Sequence, residues 1–200
     1  MATISDGDTQ TAAPRPHRHL PGEEGTWVLI LGDMTVFAVF FATYLYYRGE
    51  QPELFAESAQ SLEPGFGVIN TLLLLTSSLC VVIGIRAVRR RRTRLPPALF
   101  AGALACGLGF SAVKFVEYRE LLSAGITPAT NSFFMYYFVL TGLHFFHLVL
   151  GMGVLVYLIR VSRLPELGAR RLAFMEGGAC FWHMVDLLWI VLFPLLYLVR

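Results

Sequence analysis

The chain has 200 residues, 56% of them hydrophobic and 15% charged, with a mean hydropathy of +0.60. An ordinary soluble domain is about 45–50% apolar and about 25% charged, so this composition excludes one. The net charge is only +2 and the charges are bunched between long apolar runs, which gives no basis for a nucleic-acid partner.

Residues 1–26 are polar, rich in Gly, Pro and Thr, and lack an apolar h-region. They read as a disordered cytoplasmic tail with no cleavable signal peptide. Five apolar runs follow, at 27–47, 66–88, 96–118, 132–159 and 178–199. Each has the roughly 20 residues needed to cross about 30 Å of hydrocarbon as a helix. None shows the alternation of a barrel strand, so the expected fold is all-α: an integral membrane bundle of five transmembrane helices spanning 27–200. Pro96 and Pro97 fall in the first turn of the third run, where a missing N–H costs little. Pro194 falls inside the fifth and predicts a distortion there. Cys80, Cys106 and Cys180 all lie in apolar runs with no Cys-x-x-Cys pair, which argues against a disulfide framework or a thiolate zinc site.

Orientation follows from Lys and Arg. The tail, the second loop and the fourth loop share one side and hold twelve of the 16 basic residues, six of them between Arg86 and Arg94. The first loop is acidic, with Glu50, Glu53, Glu57 and Glu63. The expected N-terminus is therefore cytoplasmic and the C-terminus external.

Polar residues inside spans are costly and are candidates for function. The first span holds Asp33. The second holds Asn70, Thr76, Ser77 and Ser78. The third holds Lys114 and Glu117, the fourth His144 and His147, the fifth His183 and Asp186 between Trp182 and Trp189. His144 and His147 share a helix face, as do His183 and Asp186, and Gly151 continues the first of these faces as a close-approach point for another helix. Asp33 and Asp186 each lie roughly 10 Å in from the cytoplasmic boundary at 1.5 Å per residue. With their helices adjacent, His183 would stand between the two carboxylates. Glu117 lies toward the opposite boundary, in reach of Asn70 or His144.

Three readings of these residues are open. They lock helices together through buried hydrogen bonds; or they form a proton or lipid-headgroup site; or Glu117, His144, His147, His183 and Asp186 hold a di-iron centre. The third lacks the Glu-x-x-His spacing of such bundles and has only two carboxylates, so no metal is expected. Haem fits poorly, because His144 and His147 on one helix cannot face each other. No nucleotide-binding or nucleophile-elbow motif is present, and the loops are too short for a soluble catalytic domain. Asn70, Ser77, Ser78, Gly151, Trp182 and Trp189 are the expected helix-packing residues.

Four stretches resemble subunit III of the haem–copper oxidases. They are Trp27-Val-Leu-Ile-Leu-Gly-Asp33 and its continuation to Tyr44, Asn70-Thr-Leu-Leu-Leu-Leu-Thr-Ser-Ser78, Gly142-Leu-His-Phe-Phe-His147 continuing to Gly151, and Phe181-Trp-His-Met-Val-Asp-Leu-Leu-Trp189. They occur in the family's order, each in the expected span. The resemblance implies a non-catalytic subunit that packs against catalytic subunit I, binds phospholipid, and supports proton uptake and resistance to turnover inactivation. Haem and copper would then lie in partner subunits and none in this chain. Asp33 matches the family's carbodiimide-reactive acid. Many members have seven spans; the five here correspond to the last five, as in shorter bacterial forms, so the resemblance implies a bacterial inner membrane, and losing two leading helices agrees with the orientation from arginine counting. Leu20-Pro-Gly-Glu-Glu-Gly-Thr-Trp27 is also similar to members encoded beside bacterial nitric oxide reductases, which makes a reductase partner in denitrification the alternative to an oxidase of aerobic electron transport. A small proton-coupled transporter or membrane assembly factor is a further alternative, against which stands the lack of an internal repeat or broken helices.

Overall fold

The structure, a computed structural model, describes residues 24–90, 94–164 and 167–198. Helix α1 runs Glu24–Glu50, α2 Pro52–Ala59, α3 Pro64–Arg89, α4 Leu95–Ser123, α5 Ser132–Val161 and α6 Ala169–Phe193. A π-helical turn, Pro194–Leu198, continues α6. Among the described residues there are no strands, and five helices are long and apolar enough to cross a membrane. The all-α, five-span expectation holds. Of the expected tail, residues 1–23 lie outside the described residues, while α1 begins three residues before the expected start of the first span.

Two features differ from expectation. Helix α2 lies in what reads as a plain acidic loop. Proline opens it, Glu53 sits in its first turn, and it buries Phe55, Ser58 and Ala59 against the bundle. Helix α6 begins at Ala169, well before the expected residue 178. The charges there are accommodated on the helix rather than in a loop: Glu176 pairs with Arg89 at 2.7 Å, and the Arg170 guanidinium lies 5.8 Å from the Phe174 ring centre.

Helices α3, α4, α5 and α6 close a ring in which α3 touches α4, α4 touches α5, α5 touches α6 and α6 returns to α3; α1 lies outside it against α5 and α6. Without a hydrophobic force between helices in lipid, small residues set the approach. A Cβ added at Gly151 would stand 2.6 Å from the Trp182 ring, and one at Gly84 would stand 2.6 Å from Phe100. Large rings fill the space these glycines leave: Phe100, Phe110, Trp182 and Trp189 are fully buried.

The α2 end of the bundle is tied by specific caps. Asn131 Oδ1 accepts the Phe134 N–H at 2.9 Å to start α5, while its Nδ2 donates to Ser58 Oγ of α2 at 2.9 Å. Helix α4 ends with Gly125 at φ 78°, where the Gly125 and Ile126 N–H groups donate to the Leu122 and Leu121 carbonyls. That left-handed step favours glycine and lets the chain turn toward α5.

Candidate functional site

Pro194 has no N–H to continue the α-helical ladder, and the backbone widens into the π turn at that point. The turn carries Tyr197 inward to a buried polar centre. Lys114 Nζ donates to Glu117 Oε2 at 2.9 Å, to Tyr137 Oη at 3.2 Å and to Tyr197 Oη at 2.7 Å. Glu117 Oε1 accepts from Tyr137 at 2.8 Å and from the Tyr197 hydroxyl. Both charged side chains are 4% exposed. Four rings surround the ammonium, with the centres of Tyr118, Tyr137, Trp189 and Tyr197 at 5.0–5.7 Å. Glu117 therefore meets neither Asn70 nor His144; its partners are Lys114, Tyr137 and Tyr197. Lys114 is one turn from Glu117 on the same helix, a spacing visible in the sequence. Glu117 also borders an open cavity of about 580 Å³ at the α2 end, lined by Gln60, Glu63, Phe66, Glu120 and Ile126 among others.

Asp33 has a different partner from the expected one. Its Oδ2 lies 3.4 Å from His147 Nε2, and His147 Nδ1 contacts the Leu143 carbonyl at 2.8 Å. That carbonyl contact orients the ring with Nε2 toward α1, and Phe37 of α1 packs against the ring at 5.5 Å between centres. The Asp33 side chain is 29% exposed, so this pair opens to the outside of the bundle. His144, one turn away, points the other way. It is fully buried between Phe110 and Trp189, and neither ring nitrogen has a partner.

His183 and Asp186 form a third group, apart from Asp33. Ser78 Oγ lies 2.6 Å from His183 Nδ1, and Ser78 also faces Asp186. Asp186 is 6% exposed and its Oδ1 has no partner. The expected arrangement of His183 between Asp33 and Asp186 is not formed, because α1 packs on the α5–α6 side of the ring whereas His183 faces α3. Trp182 Nε1 donates to Ser77 Oγ at 3.0 Å, and Ser77 Oγ in turn donates to the Ala103 carbonyl at 3.0 Å, linking α6, α3 and α4. Trp189 Nε1 donates to Thr71 Oγ1 at 3.0 Å. Asn70 is fully buried with both amide atoms unpartnered. Among the described residues no three His, Cys, Asp or Glu side chains stand together as a metal-ligand set.

Five helices long and apolar enough to cross a membrane define a multi-pass membrane protein. The sequence model for cytochrome c oxidase subunit III matches residues 23–199. Among similar proteins, cytochrome c oxidase subunit 3 of Synechocystis is 32% identical over 87% of this chain and 74% of its own length. A probable quinol oxidase subunit 3 of Staphylococcus haemolyticus is 27% identical over 96% of both chains. A haem–copper oxidase subunit I+III of Aeropyrum pernix is 28% identical over 86% of this chain, which spans 22% of that longer protein. The chain belongs to the cytochrome c oxidase subunit III family.

Proposed function

We propose that this chain is a non-catalytic accessory subunit of a bacterial haem–copper oxidase, seated against the catalytic subunit that carries haem and copper. The observation that carries the reading is the family match across residues 23–199, together with relatives named for both cytochrome c and quinol oxidases. Those names favour an oxygen-reducing partner over the nitric oxide reductase alternative, and over a transporter or assembly factor. The geometry supports a supporting role rather than a reaction centre. The Lys114–Glu117 group is saturated by tyrosine hydroxyls, and the Asp33–His147 pair opens sideways, where it can hydrogen-bond a phospholipid headgroup or exchange a proton at the subunit boundary. The arginine-rich end near Arg89 faces the cytoplasm, which cysteine labelling from either side of sealed vesicles would test.

The decisive experiment is purification of the complex in mild detergent, with an optical spectrum, partner identification and metal analysis. The expected result is a haem spectrum in the complex and no stoichiometric metal in the isolated chain. Iron or zinc bound one-to-one by the isolated chain would refute the reading.

A further inference from the structure

The outer groove between α3 and α6 carries a hydrogen-bonding group that this bundle leaves open. His183 uses Nδ1 on Ser78 at 2.6 Å, while its Nε2 makes no hydrogen bond among the described residues. The ring is half-buried, and Nε2 is not among the sealed polar atoms, so it faces out of the bundle. His183 is fourteen residues into α6 and Ser78 eleven residues from the end of α3. At 1.5 Å per residue these are about 21 Å and about 16 Å from the Arg89 end, near mid-depth. Acyl chains offer nothing to a ring nitrogen there. Asp186 Oδ1, one turn away, also lacks a partner but is sealed inside the bundle, so His183 Nε2 alone is open to the groove. The rim is apolar and exposed: Leu75 and Leu79 on α3, Leu187 and Ile190 on α6. Asp33, the acid on α1 that reaches the surface, already has His147.

We infer that the α3–α6 groove is the docking face for a transmembrane helix of the haem-bearing catalytic subunit, which presents a polar side chain at mid-depth to His183 Nε2. This rests on the accessory-subunit reading above. One relative is named for subunits I and III together, so in that protein a single chain joins the two parts, and a subunit I helix is the occupant to which the groove is assigned. An apolar rim around one polar contact is what a partner helix in a membrane requires, since packing supplies the area and the hydrogen bond sets the register.

The test uses the intact complex in its native membrane. The photocrosslinker p-benzoylphenylalanine is placed at Leu187, beside the groove, and separately at Leu108, an exposed position on α4 across the ring. The expected result is a crosslink to the haem-bearing subunit from position 187 and none from 108. In parallel, His183→Phe is expected to reduce recovery of the haem-bearing subunit by roughly tenfold, with His183→Gln restoring it. Crosslinking from 108 but not 187, or wild-type recovery with His183→Phe, overturns the docking face while leaving the accessory reading intact. If no haem-bearing subunit accompanies the wild-type chain, both readings fall.

Discussion

Lys114→Met removes the ammonium from the buried centre and leaves Glu117 behind. The Lys114–Glu117 contact is 2.9 Å between side chains each 4% exposed, so little water is available to compensate. Breaking a buried pair by removing one partner costs about 3–5 kcal/mol. Glu117 keeps the hydroxyls of Tyr137 and Tyr197, and charge-assisted bonds of this kind are worth about 1.5–3 kcal/mol each, which holds the loss near the lower bound. The expected cost is about 3 kcal/mol, or roughly a hundredfold in the folding equilibrium. The assay is reversible unfolding of the isolated chain in detergent, in a cycle of Lys114→Met, Glu117→Gln and the double variant. The double variant should recover much of the loss, because replacing both partners removes the stranded charge. A cost below about 1 kcal/mol for Lys114→Met, or additive effects in the double variant, would refute the picture of a mutually dependent buried pair.

Four further outcomes follow from the geometry. Gly151→Leu drives a side chain into Trp182, whose ring lies 2.6 Å from the added Cβ, and should destabilise the chain by at least the 1–3 kcal/mol typical of overpacking, read by thermal unfolding. Trp182→Phe deletes the donor to Ser77 while Ser77 keeps its bond to Ala103, so the loss should be about 1 kcal/mol plus the lost ring area, with Trp fluorescence reporting intact packing. Pro194→Ala restores the N–H that the π turn lacks and should withdraw Tyr197 from Glu117; in a Tyr197→Phe background it should therefore cost little more, and an undiminished cost there would refute the link between the turn and the site. Asp33→Asn keeps a polar partner for His147 and should assemble normally, with a changed rate of turnover inactivation or proton uptake in the complex; failed assembly would instead make the pair a helix lock.

The spans were legible because each is a long apolar run, and the distortion at Pro194 was legible because proline lacks the N–H that an α-helix needs there. The short helix α2 was legible in principle. Pro52 at its start and Leu54, Phe55, Ser58, Ala59 and Leu62 along one face form a helical pattern inside a stretch dominated by its glutamates. The pairing of polar side chains was not legible. Spacing fixes which residues share a face of one helix, but whether Asp33 meets His147 or His183 depends on where α1 docks on the ring, and that is set by packing such as Thr26 on Gly177 and Tyr44 on the Leu195 carbonyl. Tyr137 and Tyr197 were hidden for another reason: in a chain with 8 Tyr and 16 Phe, an aromatic in a span signals nothing by itself.

The costly groups within the spans divide by what closes over them. Lys114, Glu117, Tyr137 and Tyr197 saturate one another inside the four-helix ring, and Trp182 with Ser77 ties three of those helices. Their bonds are complete without any other chain, so their contribution belongs to the stability of this subunit alone. Asp33 and His183 lie at the outer surface, with a carboxylate 29% exposed in one case and a free ring nitrogen in the other. Asp33 has His147 as a partner, whereas His183 Nε2, open near mid-depth, gains little from the fold that carries it, because the fold has not satisfied it. Its benefit arises only when another polar group arrives from outside. On the proposed reading the outward polar groups are where this chain meets its surroundings, while the buried centre ties α4 and α5 to the turn after α6.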